Sequence, residues 1–339
     1  MDYQHIGILV LWTFLFGYII VGAIDFGAGF FMLYAHLTKK EHVINNVISR
    51  YLNPVWEVTN VFLVFFFVGI VGFFPDTAYY FGSTLLIPGS VALILLTIRG
   101  SFYAFETYGK DSKTAWKFLY GVTGLLIPAA FSTVLTISEG KFITKNAHGV
   151  ILDWVELLMS PYAWSVVLLS IVSVLFISSA FLTVYAQKAK DTEAYRLLRN
   201  WYLIWALPML IICQFVFLSL RQHNRSHFEV ATGQYWWVFG LSIVFFIIAL
   251  LMYYFEKYLS IAFIFVLLQF AFAFYGYGIS KLPYIIYPYV NIDKSVVNES
   301  MAFSLVIVFI LGLLLLIPSL ILLLRLFVFD ADYVKGKKK

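Results

Sequence analysis

Charge is what this sequence has least of. Charged residues fill 12% of its 339 positions and apolar residues fill 62%, whereas soluble domains average about 25% charged. So few charges cannot build a water-facing surface around a core of this size, so the solvent for most of that surface is lipid. Cysteine is nearly absent. Cys213 stands alone, which excludes an intrachain disulfide and a cysteine-held metal cluster. Histidine is scarce as well. His5, His36, His42, His148, His223 and His227 all fall in predicted loops or at predicted helix ends, so no facing mid-span pair is offered to haem. A Walker motif, a dinucleotide glycine fingerprint, an HExxH pair and an evident Ser-His-Asp set are missing too. The expectation is a chain with no catalytic residues, no cofactor and no metal of its own.

What abounds is apolar runs. A spanning helix needs about 20 mostly apolar residues, and nine segments qualify: 6–36, 52–74, 78–108, 113–138, 161–188, 192–220, 233–255, 257–280 and 300–328. The fold class expected is therefore an all-α polytopic membrane protein with about nine transmembrane helices. Short connections near Pro75–Asp76 and Glu256–Lys257 predict two antiparallel hairpins. The longer stretch 139–160 divides the chain. Residues 1–138 would form a first four-helix bundle, 139–160 an external interfacial loop, 161–280 a second bundle, and 281–339 a ninth helix with a basic tail. The start, Met1–His5, has no basic region and the first apolar run is too long for a cleaved signal, which predicts a retained first helix.

The net charge of +5 does not point to nucleic acid, because the basic residues sit in short loops and the tail. Of 23 Lys and Arg, 17 fall on one side of the nine-helix arrangement and 6 on the other. By the positive-inside rule the N-terminus lies outside and the C-terminus in the cytoplasm.

Ionisable residues inside spans are costly and mark candidate sites. Asp25 lies in Gly22-Ala23-Ile24-Asp25-Phe26-Gly27-Ala28-Gly29, with Gly22 and Gly29 on its own helix face. Small residues there admit a neighbouring helix. The carboxyl is either a buried packing group or a proton relay, and burial favours its neutral form unless a partner compensates. Glu57 follows Asn53-Pro54-Val55-Trp56 at a helix start, with Asn60 one turn on; it is a capping charge or part of the same relay. Arg99 and Glu106 share a face two turns apart, as inner-mouth charges or as a snorkelling Arg with a solvated Glu. Acids thus run from the cytoplasmic mouth inward in the first helices, and the later helices are expected to hold no comparable set.

These residues carry a resemblance. The Gly22–Gly29 run, Pro54-Val55-Trp56-Glu57 with Asn60, Arg99-Gly100 with Phe105-Glu106, and Tyr287-Pro288-Tyr289 resemble subunit II of the cytochrome bd quinol oxidases. The chain departs from that pattern at Gly22, where the family often has a second acid. It departs again at Trp56-Glu57-Val58-Thr59-Asn60, where the family often has Trp-Asp and then Gly-Asn-Gln, as in a divergent branch. The resemblance implies a heterodimer with a haem-bearing subunit I that holds two haems b, one haem d and the quinol site. The complex would reduce O2 to water in a bacterial or archaeal cell membrane. It further implies a proton route through Asp25 and Glu57, and leaves room for a small third subunit beside the lipid. Two other readings stand: a proton-coupled secondary transporter with Asp25 as coupling residue, and a purely structural assembly subunit.

Overall fold

A computed structural model describes residues 3–40, 48, 59–108, 113–146, 149–295, 297–323 and 325. Its frame is helical throughout. Helix α1 (Tyr3–Leu37) has 35 residues, about 52 Å at 1.5 Å per residue, so it overruns a hydrocarbon core of about 30 Å. Next come α2 (Thr59–Phe73, its described part), α3 (Pro75–Thr84), α4 (Leu86–Tyr108) and α5 (Lys113–Ser138). A hairpin of β1 (Ile143–Asn146) and β2 (Gly149–Leu152) and the short α6 (Trp154–Met159) lead to α7 (Pro161–Ala189), α8 (Thr192–His223), α9 (Arg225–Gly233), α10 (Trp236–Tyr254) and α11 (Leu259–Lys281). A two-stranded ladder, β3 (Tyr284–Ile286) with β4 (Val290–Asn291), precedes α12 (Ile292–Ser295) and α13 (Glu299–Leu323).

The helix boundaries have local causes. Ser160 caps α7, accepting from the Ala163 amide at 3.4 Å, with Pro161 in the first turn, where a missing N–H costs nothing. Lys190 closes α7 in the left-handed region at φ 60°, and Asp191 at once caps α8 through the Ala194 amide. The connection is so short that α7 and α8 pack as antiparallel neighbours. The predicted hairpin near Glu256–Lys257 is present as α10 and α11, with Glu256 and Tyr258 both at positive φ.

Among the described residues seven helices are long and apolar enough to cross a membrane, and eight if the bent pair of α2 and α3 counts as one. Each of the nine predicted segments contains a described helix, though the first half is less regular than nine continuous spans. Residues 78–108 are interrupted at Leu85, between α3 and α4. After α2 the chain turns by 119° at Phe74, and α3 runs only ten residues with Pro75 in its first turn. That is about 15 Å, half a bilayer core. The tyrosines and Phe81 of α3 make it read as part of the following apolar run, although Asp76, Thr77, Ser83 and Thr84 give it a polar side. Helix α4 starts afresh at Leu86 and has 23 residues.

The core gathers on α1, which touches α5, α7, α11 and α13. Close approach is the means. A Cβ on Gly27 would stand 2.7 Å from the Val174 carbonyl oxygen of α7, and one on Gly124 of α5 would run into the Phe26 carbonyl. Ser178 of α7 uses the short separation to donate to the Ile24 carbonyl at 3.0 Å. Large apolar side chains remain exposed on the outer faces, such as Ile204, Leu207 and Ile211 of α8 and Leu311, Leu314 and Leu315 of α13, as expected for a lipid or protein-covered surface. Overpacking of a tight contact costs about 1–3 kcal/mol. Gly27→Ala is therefore expected to lower the thermal denaturation midpoint of the purified assembly, while Gly82→Ala, whose Cβ meets nothing within 4 Å, leaves it unchanged or raised.

Candidate functional site

The described part of the chain holds two buried ionic centres. The first is built on Asp25, which is 1% exposed. Arg99 of α4 donates from Nε to Asp25 Oδ2 at 2.9 Å and from Nη2 to the Asp25 carbonyl at 2.6 Å. Its Nη1 donates to the Tyr120 carbonyl of α5 at 2.8 Å. The Tyr120 hydroxyl donates to Asp25 Oδ1 at 2.9 Å. The guanidinium also lies 3.8 Å from the centre of the Tyr120 ring and 5.2 Å from that of Phe26, close enough for cation–π attraction. Glycine makes the room, since a Cβ on Gly29 would meet Arg99 Nη1 and Tyr120 Cε1, each at 2.9 Å.

This corrects one of the two readings of Arg99. The side chain does not snorkel to water; it is 0% exposed and neutralises Asp25. The glycine spacing around Asp25 does what its face implies. Gly29 admits Arg99 and Tyr120, and Gly22 faces Thr59 at the start of α2, 3.6 Å from a Cβ placed there. Asn60 is half-buried in that same first described turn of α2. Glu57 lies outside the described residues, and Glu106 is in α4 with its side chain outside them.

The second centre contradicts the expectation that the later helices hold no comparable set. Glu139, directly after α5, is 1% exposed. Its Oε2 accepts from Asn224 Nδ2 at 2.9 Å and lies 3.1 Å from His227 Nδ1. Its Oε1 accepts from the Tyr277 hydroxyl and lies 3.4 Å from Lys281 Nζ. Lys281 also donates to Ser138 Oγ, and His227 Nε2 sits 2.8 Å from Ser280 Oγ. The carboxylate thus joins the end of α5 to α9 and α11. Burial pushes the Glu139 carboxyl up, but the Lys281 charge, the His227 contact and the Tyr277 hydrogen bond outweigh it and hold the group well below the usual carboxylate range. Sequence reasoning missed this centre because its members lie far apart, from residue 138 to residue 281, and each alone looks like a loop or helix-end charge. The one available signal was Lys281 closing an otherwise apolar helix.

The Tyr287-Pro288-Tyr289 loop lies over this end of the molecule. The Tyr287 amide donates to the Ser138 carbonyl at 3.0 Å, and the Tyr289 hydroxyl donates to the Ile143 carbonyl at 2.8 Å. His223 is stacked between Phe142 and Tyr162, with Nε2 3.2 Å from the Gly140 carbonyl. His223 Nε2 and both ring nitrogens of His227 thus have hydrogen-bond partners within the protein. Among the described residues no group of three or more His, Cys, Asp or Glu could hold a metal ion.

Comparison with known proteins decides what such a helical frame belongs to. The family described as cytochrome bd terminal oxidase subunit II matches residues 3–327. This chain belongs to that family. It is 31% identical over 340 residues to a Bacillus subtilis protein named putative cytochrome bd menaquinol oxidase subunit II, covering 98% of each chain. It also superposes on a chain of the bd oxidase structure from Geobacillus thermodenitrificans with a TM-score of 0.85 and 54% identity, covering 97% of this chain and 100% of that one. A subunit II of this family is a membrane-embedded part of an oxidoreductase complex and pairs with a subunit I.

Removing one member of a buried ion pair costs about 3–5 kcal/mol, and Glu139→Gln would leave Lys281 facing a neutral amide. Because the folded carboxyl is depressed, its stabilisation is present above the ordinary carboxylate value of 4.5 and is lost as pH falls through the folded value. Denaturation of the wild-type and Glu139→Gln complexes across pH is expected to show the widest gap above pH 4.5 and a narrowing gap in acid.

Proposed function

We propose that this chain is the haem-free subunit II of a quinol-oxidising, O2-reducing membrane oxidase, with menaquinol as the quinol. The observation that carries this reading is similarity from end to end, 54% identity over 97% of the chain to a bd oxidase chain. Electron transfer and O2 chemistry, on two haems b and a haem d, belong to subunit I. The exposed apolar faces of α8 and α13 suit subunit I and lipid, with any small third subunit among the same neighbours. The distribution of 17 against 6 basic residues supports an external N-terminus and a cytoplasmic C-terminus, and the three-part division at 139–160 with a peripheral last helix is part of the same proposal.

Within that complex, Asp25 would pass cytoplasmic protons inward, with Glu57 and Asn60 as further members of the route and Arg99 and Glu106 as its inner-mouth charges. The support is position. Thr59 packs at Gly22, less than one helical turn from Asp25, so the first described turn of α2 and the buried carboxylate are neighbours. The Tyr18 hydroxyl, two turns along α1 on the same face, is buried without a protein partner.

A second reading, that Asp25 only ties helices together, is favoured by a different observation: Arg99 and Tyr120 occupy both carboxylate oxygens. Passage of a proton would require Asp25 to release Arg99. Asp25→Asn and Glu57→Gln in the whole complex separate the two. The proton route predicts slowed O2 reduction at unchanged haem content in both variants. Wild-type turnover in both removes the route. Loss of haem-loaded complex in Asp25→Asn alone assigns the residue to assembly.

A further inference from the structure

Glu139 and His227 are not used by anything described so far, and their hydrogen bonds carry a protonation problem with a definite solution. A carboxylate offers about four acceptor positions, and Glu139 meets four donors: Asn224, His227, Tyr277 and Lys281. It is therefore satisfied as an anion. His227 Nδ1 faces that anion and must carry a proton. The other ring nitrogen faces Ser280 Oγ at 2.8 Å, and Ser280 Oγ lies 3.0 Å from the Tyr277 carbonyl. A hydroxyl has one proton and can turn. When it points to His227 Nε2, the ring is neutral. When it points to the Tyr277 carbonyl, Ser280 Oγ becomes an acceptor and Nε2 can carry a second proton.

We propose that His227 is a proton-binding site, set at the opposite end of α5 from Asp25 and Tyr120, which takes up and releases one proton at Nε2 by rotation of the Ser280 hydroxyl. Uptake adds one proton to the neutral imidazole and breaks no contact between heavy atoms. Charge changes in a defined way: Glu139 and Lys281 cancel when His227 is neutral, and the site becomes +1 when His227 is imidazolium. Tyr120 and Glu139 are 19 positions apart on and just past α5, about 28 Å along its axis. The two centres thus lie near opposite membrane faces.

The groups around His227 come from several packed elements. Helix α11 presents Tyr277, Ser280 and Lys281, the end of α5 presents Glu139, and the α9 cap presents Asn224. Helix α10 packs Val238 and Phe239 against Gly276 of α11. Tyr162 of α7 interacts with Tyr277 and also lines a cleft of about 270 Å³ with Lys141, Glu156, Gln222 and His223. On the other side Ser138, Tyr277 and Lys281 border a largely apolar cavity of about 80 Å³ walled by Ile8, Leu11, Phe66 and Ile70. The inference is independent of a proton route at Asp25.

Infrared difference spectra of the whole oxidase complex, titrated from pH 5 to 9 with ring-labelled histidine, test it. Wild type is expected to show a neutral-to-imidazolium transition that His227→Gln lacks. Ser280→Ala removes the acceptor of the charged form, and a hydrogen bond to a charged group is worth roughly one pH unit or more. In that variant the same transition should move to lower pH by about one unit. If the histidine transitions of wild type and His227→Gln coincide, the site does not exchange protons. If His227→Gln fails to assemble, Ser280→Ala decides: a shifted transition supports the site and an unmoved one overturns it.

Discussion

Placing an ion pair in a lipid-surrounded bundle is the constraint that organises the first half of this protein. An isolated carboxylate at Asp25 would be prohibitively costly in an apolar interior. Arg99 and Tyr120 relieve that cost, but only if α1, α4 and α5 approach closely enough for a guanidinium to bridge them. The glycines at 29 and 124 are what make the approach possible, since a Cβ at either position would meet Arg99 Nη1, at 2.9 and 3.3 Å. Backbone carbonyls of Asp25 and Tyr120 take two more of the guanidinium donors, so the bridge fixes main chain as well as side chains.

The same device recurs at the other end of α5 with different parts. There the acid is Glu139 and its cation is Lys281, drawn from more than a hundred residues further along the chain. Tyrosine again completes the coordination, through Tyr277 in place of Tyr120. One helix therefore carries a buried ionic tie near each end, the first to α1 and α4 and the second to α9 and α11. Between them the contacts are apolar, which suits a segment that must cross a hydrocarbon layer. The two ties differ in one respect that bears on chemistry. The Asp25 centre pairs its acid with an arginine, while the Glu139 centre pairs its acid with a lysine and adjoins a histidine.

How much of this was legible in the sequence follows from how local each signal is. The all-helical membrane class and the α10–α11 hairpin depend on composition and short-range spacing, and they are read directly. The Gly22–Gly29 face marked Asp25 as a packed carboxyl because all its determinants lie within two turns. Arg99 was visible as an intramembrane cation, but its partner was not, since 74 residues separate it from Asp25. Tyr120 gave no signal at all among 23 tyrosines. The break at Leu85 was hidden because hydropathy counts the aromatics of α3 as span, and a one-residue interruption between α3 and α4 leaves no mark in composition. Glu139 and His227 looked like ordinary loop residues, and only the folding of α9 and α11 onto the end of α5 buries them.

The central claim, that Asp25 and Arg99 act as one unit holding α1, α4 and α5 together, is tested most directly by a double-mutant cycle on the denaturation of the purified complex. Asp25→Leu and Arg99→Met should each destabilise by about 3–5 kcal/mol, because each leaves a buried charge unpaired. The double variant should recover much of that loss, giving a coupling energy well above 1 kcal/mol. Additive losses, or single variants as stable as wild type, would contradict the account.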